Sequence, residues 1–83
     1  MSYNLRYSSD AVREIDDLDK SIKLQILKKL AQLKANPDLG KPLSNILKNK
    51  YSLHVGRYRV VYTVECGKDI VVMRVAHRKE AYY

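Results

Sequence analysis

The sequence predicts an α+β fold of order β-α-α-β-β-β, with two N-terminal helices packed on one face of a mainly antiparallel four-stranded sheet. Three observations predict it. Apolar residues recur at helical spacing between Ala11 and Leu33, the alternation changes to period two from Tyr51 onward, and Gly56-Arg57 and Gly67-Lys68 interrupt that second part at hairpin spacing. A helical pair followed by a meander suits one layer of helices on one sheet face. Eighty-three residues allow one domain, 1–83, with a modest core.

Tyr3-Asn4-Leu5-Arg6-Tyr7 alternates aromatic or apolar with polar side chains, the period of a half-buried strand. Ser8, Ser9 or Asp10 can then cap a short helix ending near Leu18, in which Ala11, Ile15 and Leu18 share a face and Asp10 and Glu14 lie near the positive end. Asp19 can cap a longer helix whose Ile22, Ile26, Leu30 and Leu33 form an apolar stripe, before Asn36-Pro37 stops it. The stretch 38–50 reads as a loop tied to the core by Leu39, Leu43 and Leu47.

Three β runs follow. In the first, Tyr51, Leu53 and Val55 share a face and leave Ser52 and His54 on the other; in the second, Tyr58, Val60, Tyr62 and Val64 oppose Arg59, Val61, Thr63 and Glu65. With the apolar sets turned to the helices, His54 and Arg59 look outward together. In the third, Val71, Met73 and Val75 are expected on the core side and Ile70, Val72 and Arg74 outward. Two apolar residues on the outward side imply a face that is partly covered by a partner, a second copy or a substrate.

The net charge is +7, and it is unevenly placed: residues 1–40 carry seven basic and six acidic residues, residues 41–83 nine basic and three acidic. Such asymmetry points to a polyanion or an acidic partner facing the C-terminal half, with a solvated basic surface as the plainer reading. One cysteine, Cys66, cannot form an internal disulfide, and no Cys or His cluster suits zinc. The opening residues hold no apolar signal region and no run approaches the length of a membrane span, so the sequence reads as cytoplasmic, with no membrane partner.

The last third gathers both histidines, four of the six arginines and five of the seven tyrosines on or beside short strands. Arginine and imidazole on a sheet, with tyrosine close by, suit a phosphate backbone and the proton transfers needed to cut it. Each residue has a plainer alternative. His54 can be an idle surface histidine, His77 a structural imidazole on the core side, Arg59 a partner of a carboxylate such as Glu65, and Cys66 an ordinary residue beside a turn.

The element order, together with Gly56-Arg57-Tyr58-Arg59-Val60-Val61-Tyr62 and the terminal His77-Arg78-Lys79-Glu80-Ala81-Tyr82, resembles the RelE branch of the RelE/ParE toxin superfamily over essentially the whole length. The resemblance implies a toxin of a type II toxin-antitoxin system. Such toxins enter the ribosomal A site and act as messenger RNA endoribonucleases, driving a 2′-hydroxyl onto the adjacent phosphate with no metal or other cofactor. It implies a cognate antitoxin, the ribosome and messenger RNA as partners, and operator DNA for the toxin-antitoxin pair. It places catalytic arginines at Arg59 and Arg78 and the terminal tyrosine at Tyr82, or Tyr83 if the spacing slips by one. Two family lysines on the first meander strand are replaced by Ser52 and His54, with Lys48 and Lys50 just upstream. An imidazole can accept the 2′-hydroxyl proton, which makes His54 a candidate catalytic base. Lys48, Lys50, Ser52, Arg57 and Tyr83 complete the candidate set as substrate-binding residues.

Two alternatives share the same fold: a ParE-like toxin that binds DNA gyrase and cleaves nothing, and a degenerate toxin that only binds antitoxin and promoter DNA. Lys23, Lys28, Lys29 and Lys34 on the second helix either steer the domain toward ribosomal RNA or serve solubility.

Overall fold

The structure, a computed structural model, describes residues 3–42 and 50–77. Its elements are β1 (Asn4–Tyr7), α1 (Ser9–Asp16), α2 (Lys20–Ala35), a 3-10 turn (Pro37–Leu39), β2 (Lys41–Pro42), β3 (Lys50–Val55), β4 (Tyr58–Glu65) and β5 (Asp69–His77). They build a five-stranded sheet in the order β1-β5-β4-β3-β2, with β1 parallel to β5 and every other neighbour antiparallel. The expected four strands and two helices are present. The fifth strand, β2, lies where the sequence reads as loop, because Lys41 and Pro42 pair with Ser52 and Tyr51 across a distance that local periodicity does not register.

Of the three candidate caps, Ser8 holds α1: its Oγ accepts from the Ala11 N–H at 3.0 Å. Asp19 occupies the N-cap position of α2 but makes no side-chain capping bond, so that expectation is corrected. Asn36 ends α2 and accepts from the Asp38 N–H, starting the Pro37 turn. Ala11 and Ile15 from α1 and Ile26, Leu30 and Leu33 from α2 are buried against Leu53, Val55, Val60, Tyr62, Ile70, Val72 and Val75. Each fully buried aliphatic side chain here contributes about 1.5–3 kcal/mol relative to exposure.

The face assignment of β5 is corrected. Ile70 and Val72 lie in the core at 0% exposure, while Val71 and Met73 are half-buried. The cause is a β-bulge: Val61 pairs with Arg74 and Tyr62 with Val72, leaving Met73 as the extra residue. The extra residue resets the alternation, so that Val72 and Val75, three apart, both face the helices. Ser8 Oγ donates to the Met73 carbonyl at 2.7 Å, and the Glu14 carboxylate accepts from the Val75 N–H at 2.8 Å and from Arg74 Nη2 at 2.8 Å. The bulge and the first helix therefore hold each other. The outward face therefore lacks the two apolar residues expected there, Ile70 and Val72, although Val61 (1%) and Ala76 (9%) on that side are themselves buried.

Two further expectations change. Leu39 is exposed, not a core anchor, and Leu43 and Leu47 fall outside the described residues. The connection is tied instead by Tyr62, whose hydroxyl donates to the Pro37 carbonyl at 2.7 Å and accepts from the Gly40 N–H at 3.1 Å. The second hairpin turns on Cys66-Gly67, not Gly67-Lys68: both have positive φ (55° and 67°), and the Lys68 N–H bonds the Glu65 carbonyl, as a type I′ turn requires. No described helix is long and apolar enough to cross a membrane.

Candidate functional site

The β3–β4 hairpin positions the site. Its Gly56-Arg57 turn has Gly56 at φ 60°, and its ladder runs without interruption from Val55–Tyr58 to Lys50–Thr63. That register sets His54 directly opposite Arg59, both on the face away from the helices. Arg59 Nη2 lies 3.2 Å from His54 Nε2. A guanidinium can only donate, so this contact requires an unprotonated Nε2. Arg59 pairs with its cross-strand neighbour, and the alternative of Glu65 is corrected: Glu65 sits at the far end of β4, opposite Asp69.

Around this pair opens a cleft of about 480 Å³. Its cationic lining comes from three elements: Lys29 of α2, Lys41 of β2 and Arg59 of β4, with His54 and Ser52 of β3 between them. Leu39, Pro42 and Leu53 supply the apolar wall. Among the described residues no carboxylate lines it, so these side chains give the cleft a positive potential, focused by low-dielectric walls. Ser52 is 8% exposed and its Oγ is buried with no hydrogen-bond partner among the described residues. A buried hydroxyl left without a partner costs about 1–3 kcal/mol, a cost that a ligand oxygen reaching into the cleft would remove.

The wall of this cleft depends on Tyr62. The ring is fully buried and stacks on Tyr51 with centroids 5.3 Å apart, while the hydroxyl carries the segment that bears Leu39, Lys41 and Pro42. Burial raises its pKa above the ordinary tyrosine value, the Gly40 N–H bond opposing that rise. Gly40 is required by proximity: a Cβ there would lie 2.5 Å from the Tyr62 hydroxyl oxygen and 2.7 Å from its ring.

Of the residues expected from sequence, the structure brings His54, Arg59 and Ser52 together in the cleft. Lys50 is on the same face, opposite Thr63, beyond the cleft lining. Arg57 is exposed in the hairpin turn and does not line it. Lys48, Arg78, Tyr82 and Tyr83 lie outside the described residues. His77 packs edge-on against Tyr58 at 5.4 Å, as a structural imidazole would. The linear sequence gives no sign of Lys41 at the site and places Lys29 on the second helix, for ribosomal RNA or for solubility, not in the cleft. Both enter through contacts between elements distant in the chain, β2 with β3 and α2 with the β3 edge, for which the linear pattern carries no signal. Among the described residues no three carboxylate, imidazole or thiol groups gather as metal ligands.

A family model described as "ParE toxin of type II toxin-antitoxin system, parDE" matches residues 5–82. Toxin RelE of Mycobacterium tuberculosis is 32% identical over 96% of this chain and 86% of its own length, and Toxin RelG of the same organism 29% identical over 99% and 98%. In the crystal structure of the toxin-antitoxin complex RelBE2 from M. tuberculosis, one chain superposes with a TM-score of 0.84 at 28% identity, covering 94% of this chain and all of that one. The isolated RelE toxin of E. coli superposes at 0.80 with 25% identity, over 92% of this chain and 84% of that one. With its fold, its hairpin motif and its sequence all matched across nearly the full length, the chain belongs to the RelE/ParE toxin superfamily as a RelE-like toxin of a type II toxin-antitoxin system.

Proposed function

We propose that the protein is a ribosome-dependent messenger RNA endoribonuclease that cuts in the A site and so inhibits translation in the cytoplasm. The observation that carries the reading is the His54–Arg59 pair in a cleft that Lys29, Lys41 and Arg59 line, with no carboxylate among the described residues. A phosphodiester entering the cleft draws the Arg59 guanidinium onto its non-bridging oxygens, where the negative charge grows in the transition state. The move releases His54 Nε2, whose lone pair then takes the 2′-hydroxyl proton. The 2′-oxygen forms a bond to phosphorus, the bond from phosphorus to the 5′-oxygen breaks, and a 2′,3′-cyclic phosphate remains. The leaving 5′-oxygen needs a proton, for which the family pattern offers Arg78 to hold charge and Tyr82 or Tyr83 as donor or stacking surface. Lys48, Lys50 and Ser52 bind flanking phosphates or hydroxyls, and Arg57 meets the strand at the hairpin tip. No metal or cofactor enters this scheme.

The partner that restrains this activity in the proposal is a cognate antitoxin, as the M. tuberculosis relative's complex suggests; operator DNA is the further partner proposed for the pair. Primer extension on translated messenger RNA with ribosomes present tests the reading. Arg59→Ala should lower A-site cutting by about 10²–10³-fold and His54→Ala by about 10²–10⁴-fold, with Arg78→Ala also losing the cuts. A second reading has one observation in its favour, the ParE description of the matching family model. If the wild type makes no cuts and inhibits gyrase supercoiling, that reading replaces the first; if it does neither, the chain acts only through antitoxin and promoter DNA.

A further inference from the structure

Beside the cleft runs a second groove of about 360 Å³, between α2 and the β3–β4 turn. Its α2 wall consists of Gln25, Lys28, Lys29 and Gln32, an i, i+3, i+4, i+7 set that occupies one helical face. That set spans about 10 Å of groove at 1.5 Å per residue. The opposite wall is His54, Val55 and Gly56. Gln25 Oε1 reaches over the turn, 3.8 Å from where a Cβ on Gly56 would sit, and so closes the far end. Lys29 and His54 line both hollows, so the two lie side by side at the His54 ring. As in the cleft, no carboxylate lines the groove among the described residues.

We infer that this groove is a second subsite for single-stranded RNA, receiving the sugar-phosphate backbone that extends from the cleft past His54. The inference rests on the RNA-cleaving reading for the identity of its ligand. Lys28 and Lys29 present compact positive charges to successive phosphates. Gln25 and Gln32 each present both a donor and an acceptor, the combination that meets a 2′-hydroxyl or a base edge. Among the described residues no aromatic side chain lines the groove, so these walls offer no stacking surface and read backbone and sugar more than sequence. An acidic peptide would satisfy the lysines, but the adjacent cleft built for a phosphodiester and the donor-acceptor pair Gln25 and Gln32 favour RNA.

The test is binding of trinucleotide and hexanucleotide RNA, unmodified and without ribosomes so that neither is cut while the 2′-hydroxyls stay available, to the full chain and to Lys28→Ala and Gln25→Ala/Gln32→Ala variants. The hexanucleotide should bind the wild type more tightly than the trinucleotide. Lys28→Ala should remove about two- to fivefold of that gain and lower the salt slope of the longer ligand by about 0.7, one phosphate's share. The trinucleotide should be unaffected by Lys28→Ala. Equal loss for both lengths, or none for either, overturns the subsite; so does a hexaglutamate peptide that binds in a Lys28-dependent way where the hexanucleotide does not. Primer extension on the same proteins separates this from the parent reading: cuts that persist with no length effect sink the groove alone, and a length effect without cuts leaves the groove standing while cleavage falls.

Discussion

The two hairpins of the sheet share β4 and behave differently. Between β3 and β4 six residue pairs follow one another in unbroken register, and each side chain falls on the face that alternation assigns it. Between β4 and β5 the register slips at Val61/Tyr62, Met73 is left over, and the face assignment inverts for Ile70 through Met73. The regular ladder carries the candidate site, where His54 must meet Arg59 within hydrogen-bond distance. The slipped ladder carries the attachment of the first helix, through Ser8 and Glu14. Tyr62 sits where the two meet, paired with Tyr51 on one side and Val72 on the other. A bulge exposes backbone groups that a neighbouring element can bond, whereas an even ladder gives fixed side-chain positions. The division of labour follows from that.

The comparison can be broken most forcefully at Gly40→Ala. The added methyl meets the Tyr62 hydroxyl and ring at the junction, so urea denaturation should show a loss of about 1–3 kcal/mol, the usual cost of overpacking. An unchanged midpoint would mean that the 37–42 segment moves freely and does not set the cleft wall.

Next in size is Glu14→Ala, which acts on the slipped ladder only. The Val75 N–H loses its acceptor and Arg74 its ion pair with Glu14; the expected destabilisation is about 1–2 kcal/mol. Hydrogen exchange should quicken at Val75 while His54 and Arg59 keep their protection. Equal acceleration in both hairpins would show that they are one cooperative unit.

A smaller effect is alkaline. The Tyr62 hydroxyl must keep its proton to donate to Pro37, and burial holds its pKa above the ordinary value near 10. The unfolded chain therefore releases this proton at lower pH than the folded one, so the contribution is complete below about pH 10 and is lost as pH rises through the raised folded value. Stability measured across that range should fall less steeply in Tyr62→Phe than in the wild type; parallel curves would refute the assignment.

The smallest change is expected at Cys66→Asn. Cys66 holds φ 55° in the second turn, a conformation that asparagine tolerates better, and the variant should gain about 0.5–1 kcal/mol. No gain would indicate that the turn yields without cost.

The amino-acid sequence by itself determined the helical pair, the meander, the placing of His54 and Arg59 on one outward face and the family. All of these follow from local periodicity, turn residues and motif, which need no knowledge of distant neighbours. The tertiary structure alone decided the rest. It added β2 opposite Tyr51 and Ser52, replaced the expected Leu39 anchor with the Tyr62 hydroxyl, and brought Lys41 and Lys29 into the cleft. It also turned Ile70 and Val72 inward by one extra residue. Alternation propagates only while the ladder is unbroken, and a single bulge, set by where Ser8 and Glu14 can reach, reverses every face assignment on one side of it.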